Sequence, residues 1–222
     1  MTYYLFWIAL FFAILDWVAV AKEWRKGEYV FKPAVILTLL LWVWQVSGFQ
    51  GPMLWIGVGL LFSLLGDMFL VLPEDQFAAG LISFLLAHIS YIIGLNYTPP
   101  PVNIASLILA VFAILPSIQL YRRIAASLLD SGSERLKIPI LVYTIAITMM
   151  MYSALLTLVR PEWQMTAALS VSLGALLFTL SDTYLAWNKF VAPLSYGRQR
   201  TIVTYQLGQM LIVLGALLQY AG

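Results

Sequence analysis

Gly59–Leu70 reads GLLFSLLGDMFL, an apolar run interrupted by one carboxylate, Asp67. With its flanks it makes a stretch over about 52–72, and roughly 20 mostly apolar residues are what a helix needs to cross a bilayer. A charge inside such a helix is costly unless it is paired or hydrated, so an intramembrane Asp marks a functional site by default. Gly174–Leu185, GALLFTLSDTYL, presents the same arrangement 115 residues later. Without a gap, Gly59, Leu61, Leu65, Asp67 and Leu70 match Gly174, Leu176, Leu180, Asp182 and Leu185. Two acids on look-alike helices suggest a paired-carboxylate site.

Outward from this pair, the pattern predicts eight spans, at about 3–21, 33–48, 52–72, 77–96, 102–121, 138–159, 165–187 and 201–221. The second is short for a bilayer. The fold expected is an all-α membrane protein, one polytopic domain over 1–222 with no room for a soluble one. Composition agrees: 62% of the residues are apolar and 10% charged, against about 25% charged in soluble domains. Met1–Ala21 lacks a basic start and a clear small-residue cleavage site, so no cleavable signal is expected. The chain has no Cys, which excludes disulfides and thiolate chemistry.

The 12 Lys and Arg residues are distributed unevenly. Lys22, Arg25, Lys26 and Lys32 fall in the first loop, Arg122, Arg123, Arg135 and Lys137 in the fifth, and Lys189, Arg198 and Arg200 in the seventh. The second, fourth and sixth loops hold only Arg160. By the positive-inside rule the odd loops are cytoplasmic and both termini lie outside. An inner-membrane protein of a bacterium, with its site towards the cytoplasm, is the expectation. Pro99-Pro100-Pro101 forms a stiff connector between two sets of four spans. The 115-residue offset lays the third span on the seventh, which fits parallel repeats over 1–98 and 102–222.

No P-loop, GxGxxG, HExxH or GxSxG pattern occurs. One His and no Cys make a conventional zinc site unexpected, and no other metal or cofactor is indicated. The basic residues lack aromatic interleaving, so nucleic acid is not an expected partner. The polar groups inside the spans are more informative. At 1.5 Å per residue, Asp16, Asp67 and Asp182 each lie about 9–10 Å inside the odd-loop end of their helices. Tyr143, Thr144, Tyr205, Gln206 and Gln209 reach a similar depth on helices that begin at that face, and Lys32 stands at its mouth. Gly66, Ser63 and Ser181 permit close helix approach beside the acids. His88 and Tyr91 share a helix face, but His88 counts about 16 Å from Phe77, deeper than the acids, as a satisfied neutral imidazole would. Trp7, Trp55 and Trp163 suit an outer aromatic belt. Each polar group also has a structural reading, as interhelical glue or, for Asp16, as a group reaching interfacial water. Their common depth instead favours a catalytic pocket.

At these residues the chain resembles the lysoplasmalogenase (YhhN-like) family of integral membrane proteins. The likeness lies in Lys32-Pro33, in Ser63-Leu-Leu-Gly-Asp67, and in Phe77-x-x-Gly80-x-x-x-Phe84-x-x-x-His88-x-x-Tyr91. It continues in Gly174-Ala-Leu-Leu-Phe178-x-x-Ser181-Asp182 and Tyr205-x-x-x-Gln209. The resemblance implies hydrolysis of the 1-alkenyl ether bond of lysoplasmalogens, giving a long-chain aldehyde and a glycerophospho-headgroup without a metal. It carries the catalytic pair over to Asp67 and Asp182. Lys32, Tyr143, Tyr205, Gln206, Gln209, Ser181, His88 and Tyr91 are then the candidates for holding water or the lyso-phospholipid. Asp16 belongs to no motif of the family.

Two carboxyls suit that chemistry. A vinyl ether cleaves when its β-carbon is protonated, and water captures the oxocarbenium ion. Glycoside hydrolysis shares this cation, with one carboxylic acid donating and one carboxylate stabilising charge or activating water. The alternative is a proton-coupled secondary transporter of a small amphiphile, which would need a second polar gate on the even-loop side. An intramembrane aspartyl protease also uses two aspartates, but neither acid stands in a Tyr-Asp or Gly-x-Gly-Asp setting.

Overall fold

The computed structural model describes residues 3–72 and 76–221. Among them are eight helices long and apolar enough to cross a membrane, and no strand. They are α1 (Tyr4–Ala21), α2 (Arg25–Ser47), α3 (Pro52–Val71), α4 (Phe77–Leu95), α5 (Ile104–Asp130), α6 (Lys137–Leu156), α7 (Met165–Phe190) and α8 (Gly197–Tyr220). Short 3-10 turns, Glu134–Leu136 and Thr157–Val159, flank α6.

The helices at the odd-loop end outrun the apolar stretches. α2 begins at Arg25 rather than at 33, so it is long and not short, and Lys32-Pro33 lies within it instead of opening it. Pro33 lacks the N–H that would bond the Tyr29 carbonyl, but Tyr29 is exposed, where solvent can take that bond. Gly27 lets the chain enter tightly, since a Cβ there would stand 2.6 Å from the Trp24 ring. α5 likewise runs nine residues past the expected 121, carrying Arg122 and Arg123 on its last turns. Most of the cations therefore ride on helix ends, and the described odd-loop links at 22–24, 131–136 and 191–196 are short. Trp163, expected in an aromatic belt, is 8% exposed and stacks edge-on against Tyr220 at 5.4 Å.

Lipid offers no hydrophobic drive between helices, so close packing and polar contacts hold the bundle together. α8 is its axis, packed against α1, α2, α3 and α7. α7 and α8 meet backbone to backbone. A Cβ on Gly208 would lie 2.9 Å from the Gly174 carbonyl oxygen, and one on Gly174 2.7 Å from the Ile212 nitrogen. A Cβ on Gly215 would lie 2.6 Å from the Ala167 carbonyl oxygen. The α3–α4 pair uses its glycines differently, as seats for rings. Gly59 lies under Tyr91 and Gly66 under Phe84, where a Cβ would come within 2.4 and 2.6 Å. α5 stands at the edge, packed on α6 and α7, with Ser106, Ala113, Ile124 and Leu128 as its buried residues. Its other apolar side chains, from Leu107 to Ile118, largely face outward, where acyl chains would be.

Candidate functional site

Helix direction brings the polar groups together. Each Cα–Cβ bond tilts towards its helix N-terminus. Side chains on α2, α4, α6 and α8 therefore lean back towards the odd-loop face, while those on α3 and α7 lean inward. His88 closes its apparent gap in depth this way and reaches the acid on α7. His88, counted as deeper than the acids, nevertheless meets one of them: its Nε2 lies 3.3 Å from Asp182 Oδ2 and 3.1 Å from the Tyr143 hydroxyl. Tyr143 in turn donates to Asp182 Oδ2 through a short hydrogen bond. Both contacts fall on Oδ2, which leaves Oδ1 for whatever occupies the adjoining space. His88 is fully buried, and its Nδ1 has no partner among the described residues.

Asp67 has different company. Lys32 Nζ lies 3.1 Å from its Oδ1, and the Tyr205 hydroxyl donates to Oδ2 at 2.8 Å. The carboxyl is 1% exposed and the Lys32 side chain 13%, so this ion pair is nearly dry. Lys32 also stands over the Tyr205 ring, 5.9 Å from its centroid. A network extends inward from here. Gln209 donates to Ser63 Oγ at 2.8 Å, and Tyr91 donates to Gln209 Oε1 at 2.6 Å.

A single layer of aromatic rings divides the two acids. Phe178 packs edge-on against both Tyr205, at 5.3 Å, and His88, at 4.9 Å. Phe84 closes the same wall, 5.7 Å from Tyr205. The acids open into separate cavities. Asp182 lines a mostly apolar cleft of about 690 Å³, its mouth included, between Leu70, Phe77, Phe84, Ser117, Ile124, Tyr143 and Thr179. Asp67 and Lys32 line a crevice of about 600 Å³ between α2 and α3, with Tyr29, Leu37, Leu64 and Met68. The common chamber anticipated from depth alone is thus partitioned.

Two expected binding residues serve packing instead. Ser181 is 1% exposed and donates to the Thr201 carbonyl at 2.9 Å, tying α7 to α8. Gln206 donates to Asp16 Oδ2 at 2.8 Å. Asp16 does not reach interfacial water: it is fully buried, and its Oδ1 and Gln206 Oε1 both lack partners among the described residues.

Sequence reasoning passed over Glu28, 3% exposed, whose Oε2 binds Arg198 at 2.6 Å. Its spacing of four residues from Lys32 on one helix face was the available signal. It also passed over the role of Arg160, which is 4% exposed. This residue donates to the Thr98 carbonyl and hydroxyl at 2.8 and 2.7 Å and to Asn96 at 2.8 Å. It thereby fastens the end of α4 to the segment before α7 on the even-loop side. Among the described residues no group of three or more His, Asp or Glu side chains is placed to hold a metal ion.

The sequence model of the YhhN family matches residues 27–216. The chain is 32% identical to lysoplasmalogenase TMEM86B of Sus scrofa over 213 residues, covering 94% of this chain and 85% of the relative. It is 33% identical to lysoplasmalogenase TMEM86A of Homo sapiens over 160 residues, 72% of this chain and 63% of the relative. An uncharacterized membrane protein YhhN of Escherichia coli O157:H7 is 32% identical over 90 residues, 39% of this chain and 43% of the relative. No solved structure matches the fold.

Proposed function

The chain belongs to the YhhN family, and from that premise we propose that it hydrolyses the vinyl ether bond of lysoplasmalogens, with Asp182 as proton donor and Asp67 as the supporting carboxylate. The observation that carries this reading is the position of Asp182. It lies on the wall of a mostly apolar cleft, with a hydroxyl and an imidazole both on one oxygen. The relatives named lysoplasmalogenase support the substrate class.

The reaction balances with the groups present and one water. The Asp182 carboxylic acid gives its proton to the β-carbon of the alkenyl chain. The double-bond electrons form the new C–H bond, and positive charge spreads over the α-carbon and the ether oxygen. Water adds to the α-carbon and gives a proton back to the Asp182 carboxylate, leaving a hemiacetal. The hemiacetal hydroxyl gives up its proton as the C–O bond to glycerol breaks and the glycerol oxygen gains one. A fatty aldehyde and a glycerophospho-headgroup leave, and Asp182 ends protonated. Tyr143 and His88 orient the carboxyl and relay its proton. Asp67, paired with Lys32 and Tyr205, stands across the Phe178 wall as the supporting carboxyl and holds α2, α3 and α8 in register around the site.

The charge bias of the helix ends supports an odd-loop face in the cytoplasm and termini outside. Access from one side suits a hydrolase better than a carrier, and the Arg160 clasp on the other face supports one-sided access. The test is aldehyde release by purified, monodisperse protein from a panel of 1-alkenyl, 1-alkyl and 1-acyl lyso-lipids. The expected result is aldehyde from the alkenyl lipid, inhibition without cleavage by the alkyl lipid, and little fatty acid from the acyl lipid. Solute movement across liposomes without aldehyde release would replace this reading with the transporter.

A further inference from the structure

We infer that the seam between α5 and α6 at Ser117 and Thr144 is a lateral portal that holds the hydrocarbon chain of the lyso-lipid, its tail among the bilayer chains and its reacting end at Asp182; the inference rests on the hydrolase reading above. On the outer side of the seam lies a second cavity, a groove of about 820 Å³ with its open side included. It runs between Ile114, Ile118 and Arg122 of α5 and Leu141, Ile145 and Met149 of α6. Ser117 and Thr144 line both this groove and the Asp182 cleft, so the two cavities meet across these side chains.

The seam is shut on either side of that point and slack at it. Towards the even-loop face, Ala113 is buried against Met151 and Leu155, and the Tyr152 hydroxyl donates to the Ser106 carbonyl at 3.2 Å. Towards the odd-loop face, Ile124 and Leu128 pack on Ile140, and the Ser127 hydroxyl donates to the Phe190 carbonyl. From Ile114 to Arg123 no residue of α5 is buried. Small residues elsewhere in the bundle draw helices together and are buried by doing so, as at Gly174 and Gly208. Ser117 and Thr144 stay half-buried, so their small size leaves an opening instead. Pro116 beside it has no N–H for the Phe112 carbonyl, which loosens α5 at the same level.

Chemistry and depth identify the occupant. The hydroxyls of Ser117, Thr144 and Thr148 each donate to a carbonyl of their own helix, at 2.9, 2.8 and 2.6 Å, so they present carbon to the opening. Ser117 lies six residues before Arg123 and Thr144 seven after Lys137, about 9–11 Å along their helices and level with Asp182. In a hydrocarbon core of about 30 Å that is the depth of the acyl chains of the odd-loop leaflet. A chain threaded there never leaves hydrocarbon, and a fatty aldehyde released at Asp182 has an apolar way out beside α5. The cleft then does not have to enclose the tail, and chain length goes unmeasured.

The experiment compares a long-chain 1-alkenyl lyso-lipid with its short, water-soluble homologue, using protein in lipid nanodiscs. Ser117→Phe with Thr144→Leu fills the opening, and the kcat/KM ratio of the long over the short chain should fall about tenfold or more, as several methylenes lose their place. Ser117→Ala with Thr144→Val, which keeps the opening, should keep the ratio. The unaltered protein gives a reading that needs no variant. A non-cleaved 1-alkyl lyso-lipid with a photoreactive diazirine at its tail should label 114–118 and 145–149, and excess unlabelled analogue should abolish that label. An unchanged ratio in the filled variant, or a competed label confined to the α2–α3 crevice, overturns the portal. Failure of the unaltered protein to release aldehyde from either homologue overturns the hydrolase reading instead, while the tail label still reports on the portal.

Discussion

Asp67 and Asp182 stand in nearly the same local sequence, yet their surroundings are opposite in kind. Asp67 is locked: one oxygen faces an ammonium, the other a phenol, and almost no surface remains. Asp182 is poised: both of its partners touch one oxygen and carry exchangeable protons, and the carboxyl lines a cleft. The difference comes from helices far away in the chain. α2 and α8 supply the partners of the first acid, α4 and α6 those of the second. The lesson is that a repeated motif fixes where an acid sits along its helix and leaves its chemistry to whatever packs opposite.

The sharpest way to break this contrast is to neutralise each acid in turn. Asp182→Asn should cut aldehyde release by about 10²–10⁴-fold, the range for loss of a general acid. It should leave thermal stability close to that of the unaltered protein. Asp67→Asn should lose activity on a similar scale, and the double variant should lose little more, as interdependent groups do. Additive losses in single-turnover assays would show two independent sites.

Stability should separate the acids where activity does not. Asp67→Asn leaves Lys32 nearly buried without its counter-charge. That loss should fall near the low end of about 3–5 kcal/mol for a broken buried pair, since Lys32 keeps some solvent. Adding Lys32→Met should recover most of the thermal midpoint in detergent without recovering turnover. Equal melting of the Asp67→Asn and Asp182→Asn proteins would erase the distinction between locked and poised.

A smaller effect is expected from the partners of Asp182. Tyr143→Phe and His88→Gln should each reduce kcat by about 10–100-fold, the equivalent of one hydrogen bond to a charged group. The smallest effect belongs to Asp16→Asn, which should keep substantial activity. The new amide can donate to the orphaned Gln206 oxygen, so stability should hold or rise by roughly 1 kcal/mol. An inactive but folded Asp16→Asn protein would add a third acid to the site.

The eight spans were readable because apolar length alone dictates them. Their odd-loop ends were not, because charged helical turns beyond the bilayer look like loops to hydropathy. Arg25, Lys26, Glu28 and Lys32 hid the start of α2, and Arg122 and Arg123 hid the end of α5. The two acids stood out as carboxylates in hydrocarbon. Counting depth along each helix also gathered Tyr143, Tyr205 and Gln209 correctly. It misjudged His88 by ignoring the tilt of side chains towards helix N-termini, and it merged two cavities because the Phe178 wall is built from apolar residues that carry no signal. Asp16 with Gln206 and Ser181 with Thr201 are contacts between helices, set by rotation about each axis, which a single sequence does not encode legibly.

The glycine seam between α7 and α8 bears on how inactive variants should be interpreted. Asp182 rides on one side of that seam, and Tyr205 and Gln209 ride on the other, within a turn of Gly208. One methyl group at 208 would push against backbone that has no side chain to rotate away, so the whole of α8 would have to shift. A genetic screen for loss of activity should therefore return Gly174, Gly208 and Gly215 beside the aspartates. Those hits would report alignment of two rods, and only substrate-dependent kinetics would tell them from lesions in the chemistry.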